Sequence, residues 1–528
     1  METSRSKTEA PPQPPTWRAT AIVLSVAVLQ IFILIIAATN GSYGYFLDEL
    51  YFLACSDHLA WGYVDQPPLS IVVLALIRAI SGDAVWVIRL PPILAAAGAI
   101  VLTGLMARRL GAGTFGQGLA TLAAAVAPMY LANYYSMNPF DLLFWTLGAY
   151  VILGILKNND PKGWLLFGLI AGLGLQNKLS MGFLCLGLCV ALVLTRNRKY
   201  ILSRLDGKFR PGLHLWGGAA LAFLIFLPYL IWQVLNGWPT IEFMHNSNAL
   251  SGDSPLEFLR DQIGGMNPFN LPIWLTGLYF YLFSRRGRPY RMMGIIYVSI
   301  FILLIVQHGK AYYLGPAYPM LLAGGAVLIE SFAQRGKWRG RILKPLIVTA
   351  PVVVLALMLP FLLPVLPPQQ VLAYEESLGV PADQVELPES LVARLCWEEF
   401  VAEVARVYET LPEEDRMESV ILTGSYAQAG AIDLFGKEYG LPPAVSYHNN
   451  YYLWGPGDTS WGVVIAPASA SLRRVRLEDM FGEIVDAGRT SCEYPDRFGF
   501  GRNDAPIYVC REPKRPIAEA WAEWKMFN

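Results

Sequence analysis

The chain has 528 residues, 54% of them hydrophobic and 16% charged, with a mean hydropathy of +0.39, whereas a soluble protein carries about a quarter charged residues. Lys plus Arg and Asp plus Glu both number 41, so no net surplus of charge points to nucleic acid. Six Cys with no CxxC pair exclude a zinc ribbon or a disulfide scaffold.

The opening segment "METSRSKTEAPPQPPTWR" is polar and Pro-rich and reads as a disordered tail over residues 1–19. The apolar run that follows, 20–38, is long for a signal-peptide core and is followed by no A-x-A cleavage site, so it reads as a retained first transmembrane helix. Further apolar segments lie near 84–107, 118–136, 141–156, 163–176, 180–195, 215–235, 271–284, 293–307, 311–330 and 345–366. These predict about eleven spans, some short or tilted, and all helical because lipid leaves no other partner for the backbone. The segment "PPLSIVVLALIRAISG" (67–82) is shorter and carries Arg78, and reads as a helix lying in the outer interface.

The charges support this count. Basic clusters occur at Arg108/Arg109, at Lys157/Lys162, from Arg196 through Arg198, Lys199, Arg204 and Lys208 to Arg210, at Arg285, Arg286, Arg288 and Arg291, and at Arg335, Lys337, Arg339, Arg341 and Lys344. Each follows an even-numbered span, so the positive-inside rule places them all, with the N-terminus, in the cytoplasm. An odd number of spans then puts the C-terminus outside. From about Pro368 the composition is that of a soluble domain, and "SVILTGSYAQAGAIDLFGKEYGLPPAVS" reads strand, helix, strand. A small extracytoplasmic α/β domain over 368–528 is therefore expected on a membrane domain of 20–367. Cys492 and Cys510 flank a hairpin pattern in a compartment that permits disulfides, but Cys396 leaves the pairing open.

With this topology, the polar residues of the outer side form one set. The first outer loop holds Asp48, Glu49, Asp57, His58, Asp65 and Arg89; later turns hold Asn138, Asp141 and Lys178; the last outer loops hold His245, Asp253, Arg260, Asp261, His308 and Lys310. Each has a plain alternative. Asp48 and Glu49 suit a helix N-terminus, Asp65 before Gln-Pro-Pro suits a turn, a lone loop His such as His245 is usually solvated, and Lys178 and Lys310 can snorkel. The functional reading is that a carboxylate at a membrane surface serves as general base for a hydroxyl acceptor, that Asp65 and His245 suit a divalent metal by ligand type, and that intramembrane cations bind phosphate. No GxxxxGK[ST], GxGxxG after a strand, HExxH or GxSxG stands in a convincing context, so no nucleotide cofactor is expected.

"FLDELYF", "YVDQPPLS", "VIRLPPILAAAGAIVLTGLMARRLGAG", "YYSMNPFDLLFW", "LQNKLSMGFL" and "HGKAYYLGPAYPMLLAGGA" together resemble glycosyltransferase family 39 of the GT-C superfamily, the group related to protein O-mannosyltransferases and lipid A aminoarabinose transferases. The resemblance covers roughly residues 20 to 330. It implies a mainly α, polytopic protein of a bacterial cytoplasmic membrane that passes a sugar, typically with inversion, from a polyprenyl-phosphate carrier to a glycan, lipid or protein acceptor on the outer face. Asp48 matches the family's acidic catalytic residue and is expected to be the general base, with Glu49 in support. Asp65 matches a metal ligand of the aminoarabinose transferases, and His245 matches their loop His as the second ligand. Gln66 stands where they have Lys. Asn138 aligns with an acidic position of relatives, and Asp141 lies one helical turn on. Lys178 and Lys310 match basic positions near the donor phosphate, and Arg89 and Tyr313 join them as substrate-binding residues. Two rival readings are a secondary transporter and a non-catalytic lipid-binding or assembly protein. The first is disfavoured because the acids lie at an interface rather than the midplane.

Overall fold

The computed structural model describes residues 16–195, 200–205, 208–251, 254–457, 461–472, 475–495, 499 and 501–528. The residues of the expected tail before Thr16, and Arg196, Arg198, Lys199 and Asp253, lie outside the described residues.

The apolar segments form helices in chain order. The first is α1 (Thr16–Ala38), followed by the short α2 (Leu47–Asp57) and α3 (Leu69–Ser81). Then come α4 (Val85–Arg109), α5 (Thr114–Ala125), α6 (Asn138–Asn158), α7 (Gly163–Asn177) and α8 (Met181–Leu194). A two-stranded hairpin, β1 (Leu202–Leu205) with β2 (Lys208–Pro211), precedes α9 (Leu213–Leu235). The bundle ends with α10 (Pro239–Ser251), α11 (Pro255–Gly265), α12 (Leu271–Leu282), α13 (Arg291–Val306), α14 (Tyr318–Gln334) and α15 (Lys337–Leu362).

Among the described residues, seven helices are long and apolar enough to cross a membrane. The sequence pattern of α1 explains its placement. Ala19, Val23, Ala27 and Leu34 are buried while Leu24, Val28, Leu29 and Phe32 are exposed, as for a helix with one face on its neighbours and one on lipid. Glycine allows the closest approaches: a Cβ on Gly168 of α7 would stand 2.1 Å from the carbonyl oxygen of Gly218 in α9, so only Gly lets these backbones meet. The helix α3 is amphipathic, burying Ile71 and Leu74 and exposing Leu76 and Ile80.

One expected span differs. The segment 118–136 is not one helix: α5 stops at Ala125, a 3-10 turn follows at Pro128–Tyr130, and irregular chain runs on to α6. Pro128 cannot donate a helical hydrogen bond, and the chain it releases becomes cavity wall.

After α16 (Pro368–Ser377) the chain builds a mixed five-stranded sheet of order β4-β3-β5-β7-β6. Its strands are β3 (Ser419–Thr423), β4 (Ala444–Ser446), β5 (Val463–Pro467), β6 (Phe481–Arg489) and β7 (Pro506–Pro513). β4 and β5 flank β3 in parallel, with Ile421 opposite Ile465, whereas β7 is antiparallel to both β5 and β6. "SVILT" and "VVIAP" are buried at every position and carry apolar runs at Val420–Leu422 and Val463–Ala466, because both faces of β3 and β5 are covered. The helix Tyr426–Phe435 connects β3 to β4, as the strand-helix-strand reading anticipates. Cys396 pairs with Cys492, while Cys510 sits buried and unpaired in β7.

The C-terminal domain is not loosely tethered. One apolar cluster runs from Leu50, Phe52, Ile71 and Leu74 of the membrane half into Ile421, Ala427, Ala431, Ile432 and Ile465 of the sheet domain. The helix Tyr426–Phe435 lies directly on α2: a Cβ on Gly430 would stand 2.6 Å from the carbonyl oxygen of Leu50.

Candidate functional site

A cavity of about 800 Å³ lies where the helical bundle meets the C-terminal domain. Its wall takes Asp48 and Tyr51 from α2, Asp65 from the following loop, Asn138 from the head of α6 and Lys178 from the α7–α8 turn. Lys310 and Tyr313 come from the stretch after α13, and Tyr426 and Asn449 come from the C-terminal domain.

The start of α2 sorts its two acids. Phe46 is the N-cap residue, and Glu49 returns its carboxylate to the Phe46 N–H at 2.7 Å. Successive residues of an α-helix point about 100° apart, so Asp48 reaches the cavity while Glu49 turns into the protein. There Glu49 accepts from Arg89 Nε at 2.8 Å, Arg89 Nη2 at 2.6 Å and the Tyr135 N–H at 2.6 Å. Both side chains are sealed, 0% and 1% exposed. Glu49 and Arg89, expected at the chemistry, stand outside the cavity wall as a buried ion pair beneath it.

Asp48 Oδ1 accepts a hydrogen bond from the Tyr426 hydroxyl at 2.9 Å. Burial pushes Asp48 up to about 6, opposed by the Tyr426 hydrogen bond, aided by the Glu49 charge and opposed again by Lys310. Asp65 Oδ1 accepts from the Tyr51 hydroxyl at 2.9 Å. Its carboxyl is pushed up to about 7, first by burial, against the Tyr51 and backbone hydrogen bonds, with the Asp48 charge adding to the rise. A carboxylate that titrates near 6 is mostly ionised at neutral pH and still basic enough to take a proton.

The cations belong to other elements. Lys178 Nζ donates to Asn138 Oδ1 at 2.6 Å and lies 4.8 Å from the ring centroids of both Tyr312 and Tyr313. Lys310 Nζ donates to Ser247 Oγ at 3.3 Å. Two ammonium groups in one largely apolar wall suit a phosphate. Asp141 accepts from Ser180 Oγ at 2.6 Å and is buried behind the wall rather than part of it.

The expected metal pair does not assemble. Asp65 is in the wall, but His245 is exposed on α10 and outside it, and among the described residues no three His, Cys, Asp or Glu side chains are grouped to hold an ion. No step is derived through a metal. The structure adds residues that sequence reasoning missed: Tyr51, Tyr426, Asn449 and Asn450. Tyr51 carried a usable signal, standing three residues after Asp48 on the same helix face. The others lie in "GSYAQAG" and "HNNYY", more than 370 residues further along the chain.

The family model described as dolichyl-phosphate-mannose-protein mannosyltransferase matches residues 65–232. The lipid A galacturonosyltransferase RgtD of Rhizobium johnstonii is 23% identical over 300 residues, 55% of this chain. That match spans 60% of the relative's length. The fold is similar to ArnT from Cupriavidus metallidurans bound to undecaprenyl phosphate, with a TM-score of 0.59 and 15% identity over 93% of this chain and 98% of that one. The apo state of the same protein gives a TM-score of 0.57 at 16% identity, with the same coverage of both chains. In part of its sequence the chain is thus similar to sugar-transferring enzymes, and in its fold it is similar to ArnT.

Proposed function

We propose that the protein transfers a sugar from a polyprenyl-phosphate carrier to an acceptor hydroxyl, with Asp48 as general base. The observation that carries this reading is the meeting, in one cavity, of the buried Asp48 carboxylate, raised above the usual carboxylate range by its burial, with two lysines from separate elements. In the reaction, the acceptor oxygen attacks the anomeric carbon as the bond from that carbon to the phosphate oxygen breaks. Polyprenyl phosphate leaves with the electron pair, and the acceptor proton passes to Asp48. Lys178 and Lys310 stabilise the charge that grows on the leaving phosphate. Asn138 holds Lys178 in place, Tyr313 flanks it, and Asp65 lines the sugar side. The Glu49–Arg89 pair fixes the start of α2 and so the direction of Asp48. A second cleft of about 610 Å³, walled by Gly264, Gly265 and Ala311, shares Met129, Lys310 and Tyr312 with the cavity and is the route proposed for the prenyl chain.

The membrane is proposed to be the bacterial cytoplasmic membrane, with the N-terminus inside, 20–367 as catalytic domain and 368–528 outside. The Cys396–Cys492 disulfide supports an oxidising compartment for the C-terminal domain. The test is turnover by detergent-purified protein, wild type beside Asp48→Asn, across polyprenyl-phosphate hexoses and pentoses with membrane-lipid, glycan and protein acceptors. Release of polyprenyl phosphate by wild type alone supports the reading. Equal release by both removes Asp48 as the base.

A further inference from the structure

The C-terminal domain reaches both acids of the cavity, one directly and one through an intermediary. Tyr426 reaches Asp48 directly, at 2.9 Å. Asn450 reaches Asp65 through the loop and Tyr51: its Oδ1 accepts from the Val64 N–H at 2.6 Å, next to Asp65, and its backbone N–H donates to the Tyr51 hydroxyl at 3.4 Å, whose one proton goes to Asp65 at 2.9 Å. The two relays are in contact, since the Tyr51 and Tyr426 rings have centroids 4.8 Å apart.

We infer that the C-terminal domain is a working part of the active site, in which Tyr426 and Asn450 are positioning residues, Tyr426 orienting the Asp48 carboxylate and Asn450 holding the Asp65 loop through its side-chain oxygen on the Val64 N–H. This rests on Asp48 as the base. A general base works only when its oxygen is held in line with the proton it takes, within about half an ångström. A carboxylate on the first turn of a short helix otherwise rotates freely. The groups that face Asp48 are Glu49 on its own helix, Asp65 from the next loop, Tyr134 before α6, and Lys310 and Tyr312 after α13, with Tyr426 from the C-terminal domain. Among the described residues, Tyr426 is the one that donates a hydrogen bond to Asp48, at 2.9 Å.

Tyr426 is itself immobilised. Its backbone N–H donates to His448 Nδ1 at 3.3 Å, and its ring lies 4.7 Å from the His448 ring. Burial lowers His448 to about 4, so the imidazole stays neutral and keeps accepting. The close seat of Gly430 on Leu50 brings the whole helix to this distance. A domain needed only to choose acceptors has no reason to place a phenol on the base. One needed for catalysis does, and it makes turnover depend on docking of the domain.

The experiment uses the full-length protein and a polyprenyl-phosphate hexose that the wild type turns over, with kcat/KM measured from pH 5 to 9. The variants are Asp48→Asn, Tyr426→Phe and Asn450→Ser. Phe keeps the ring packing and removes only the donor. Because the lost hydrogen bond favours the ionised carboxylate, the acid limb of Tyr426→Phe is expected to move up by about one pH unit, with kcat near pH 6.5 down about 3-fold, approaching ~10-fold near pH 5, and donor KM little changed. A wild-type profile for Tyr426→Phe beside an inactive Asp48→Asn overturns the inference and leaves the base standing. An active Asp48→Asn overturns the base itself. If Tyr426→Phe does not fold, Asn450→Ser decides: a kcat loss with unchanged donor KM supports the inference, and wild-type kinetics refute it.

Discussion

Replacing Arg89 by Met tests whether Glu49 serves the fold rather than the chemistry. Met fills most of the space of the arginine stem and removes the charge. Glu49 then loses two charge-assisted hydrogen bonds, at 2.8 and 2.6 Å, and the Gly44 carbonyl loses its donor at 3.1 Å. Breaking one side of a buried ion pair costs about 3–5 kcal/mol. Here the carboxylate keeps the N–H groups of Phe46 and Tyr135, so the lower part of that range, about 3 kcal/mol, applies. For a large domain this lowers Tm by roughly 6 °C. The double variant Glu49→Gln/Arg89→Met removes both charges and is expected to recover about half of the loss. The assay is detergent size-exclusion after heating, read by intrinsic fluorescence, with turnover measured well below the transition. Arg89→Met melting within 1 °C of wild type would refute the reasoning. So would a double variant less stable than the single.

Wild-type kcat/KM is expected to fall as pH drops through about 6, because protonating Asp48 removes the base. Stability runs the other way. The folded values of Asp48 and Asp65, about 6 and about 7, lie above the usual carboxylate value, so the folded state loses stability as pH rises from about 4 through 7. Asp65→Asn should therefore raise Tm at pH 8 and leave it unchanged at pH 4. Lys178→Met should cut turnover at least 100-fold, and Lys178→Arg should restore part of it, since charge rather than shape is what the phosphate needs. His245→Ala should change turnover less than two-fold, because that side chain is exposed and outside the wall; a large loss would restore it to the site. Gly430→Ala should lift the C-terminal domain off α2, seen as faster proteolysis within 368–528 and lower turnover, since the added Cβ meets backbone rather than a flexible side chain.

Much of the fold is local and so was legible. Most of the expected apolar stretches form helices because each satisfies its own backbone, and hydropathy alone reports that, though only seven of the described helices are long and apolar enough to cross a membrane. The break after Ala125 was less legible: the run from 118 to 136 is mostly apolar despite Pro128 and Asn133, and its purpose as cavity wall depends on Lys178 and Lys310, which arrive from elsewhere. The acids of "FLDELYF" were legible as a pair but not as two different things. Their division into cavity base and buried ion pair follows from the helix phase set by Phe46 and from the position of Arg89, forty residues on.

The C-terminal contribution is the harder case, and its physics explains why. Tyr426 lies 378 positions from Asp48, in a helix whose sequence would serve equally as the connector of any small α/β unit. Its meaning comes from one hydroxyl and from a neighbouring glycine that lets two backbones approach. Hydropathy, charge and spacing along the chain do not encode such a contact. They do encode what makes it consequential: a carboxylate on the first turn of a short helix, buried in a largely apolar wall, carries a desolvation penalty unless something donates to it. A buried acid at a bundle end that meets a separately folded domain is therefore a reason to look in that domain for the donor. In this chain the search leads to a tyrosine, and through Asn450 to the second acid as well.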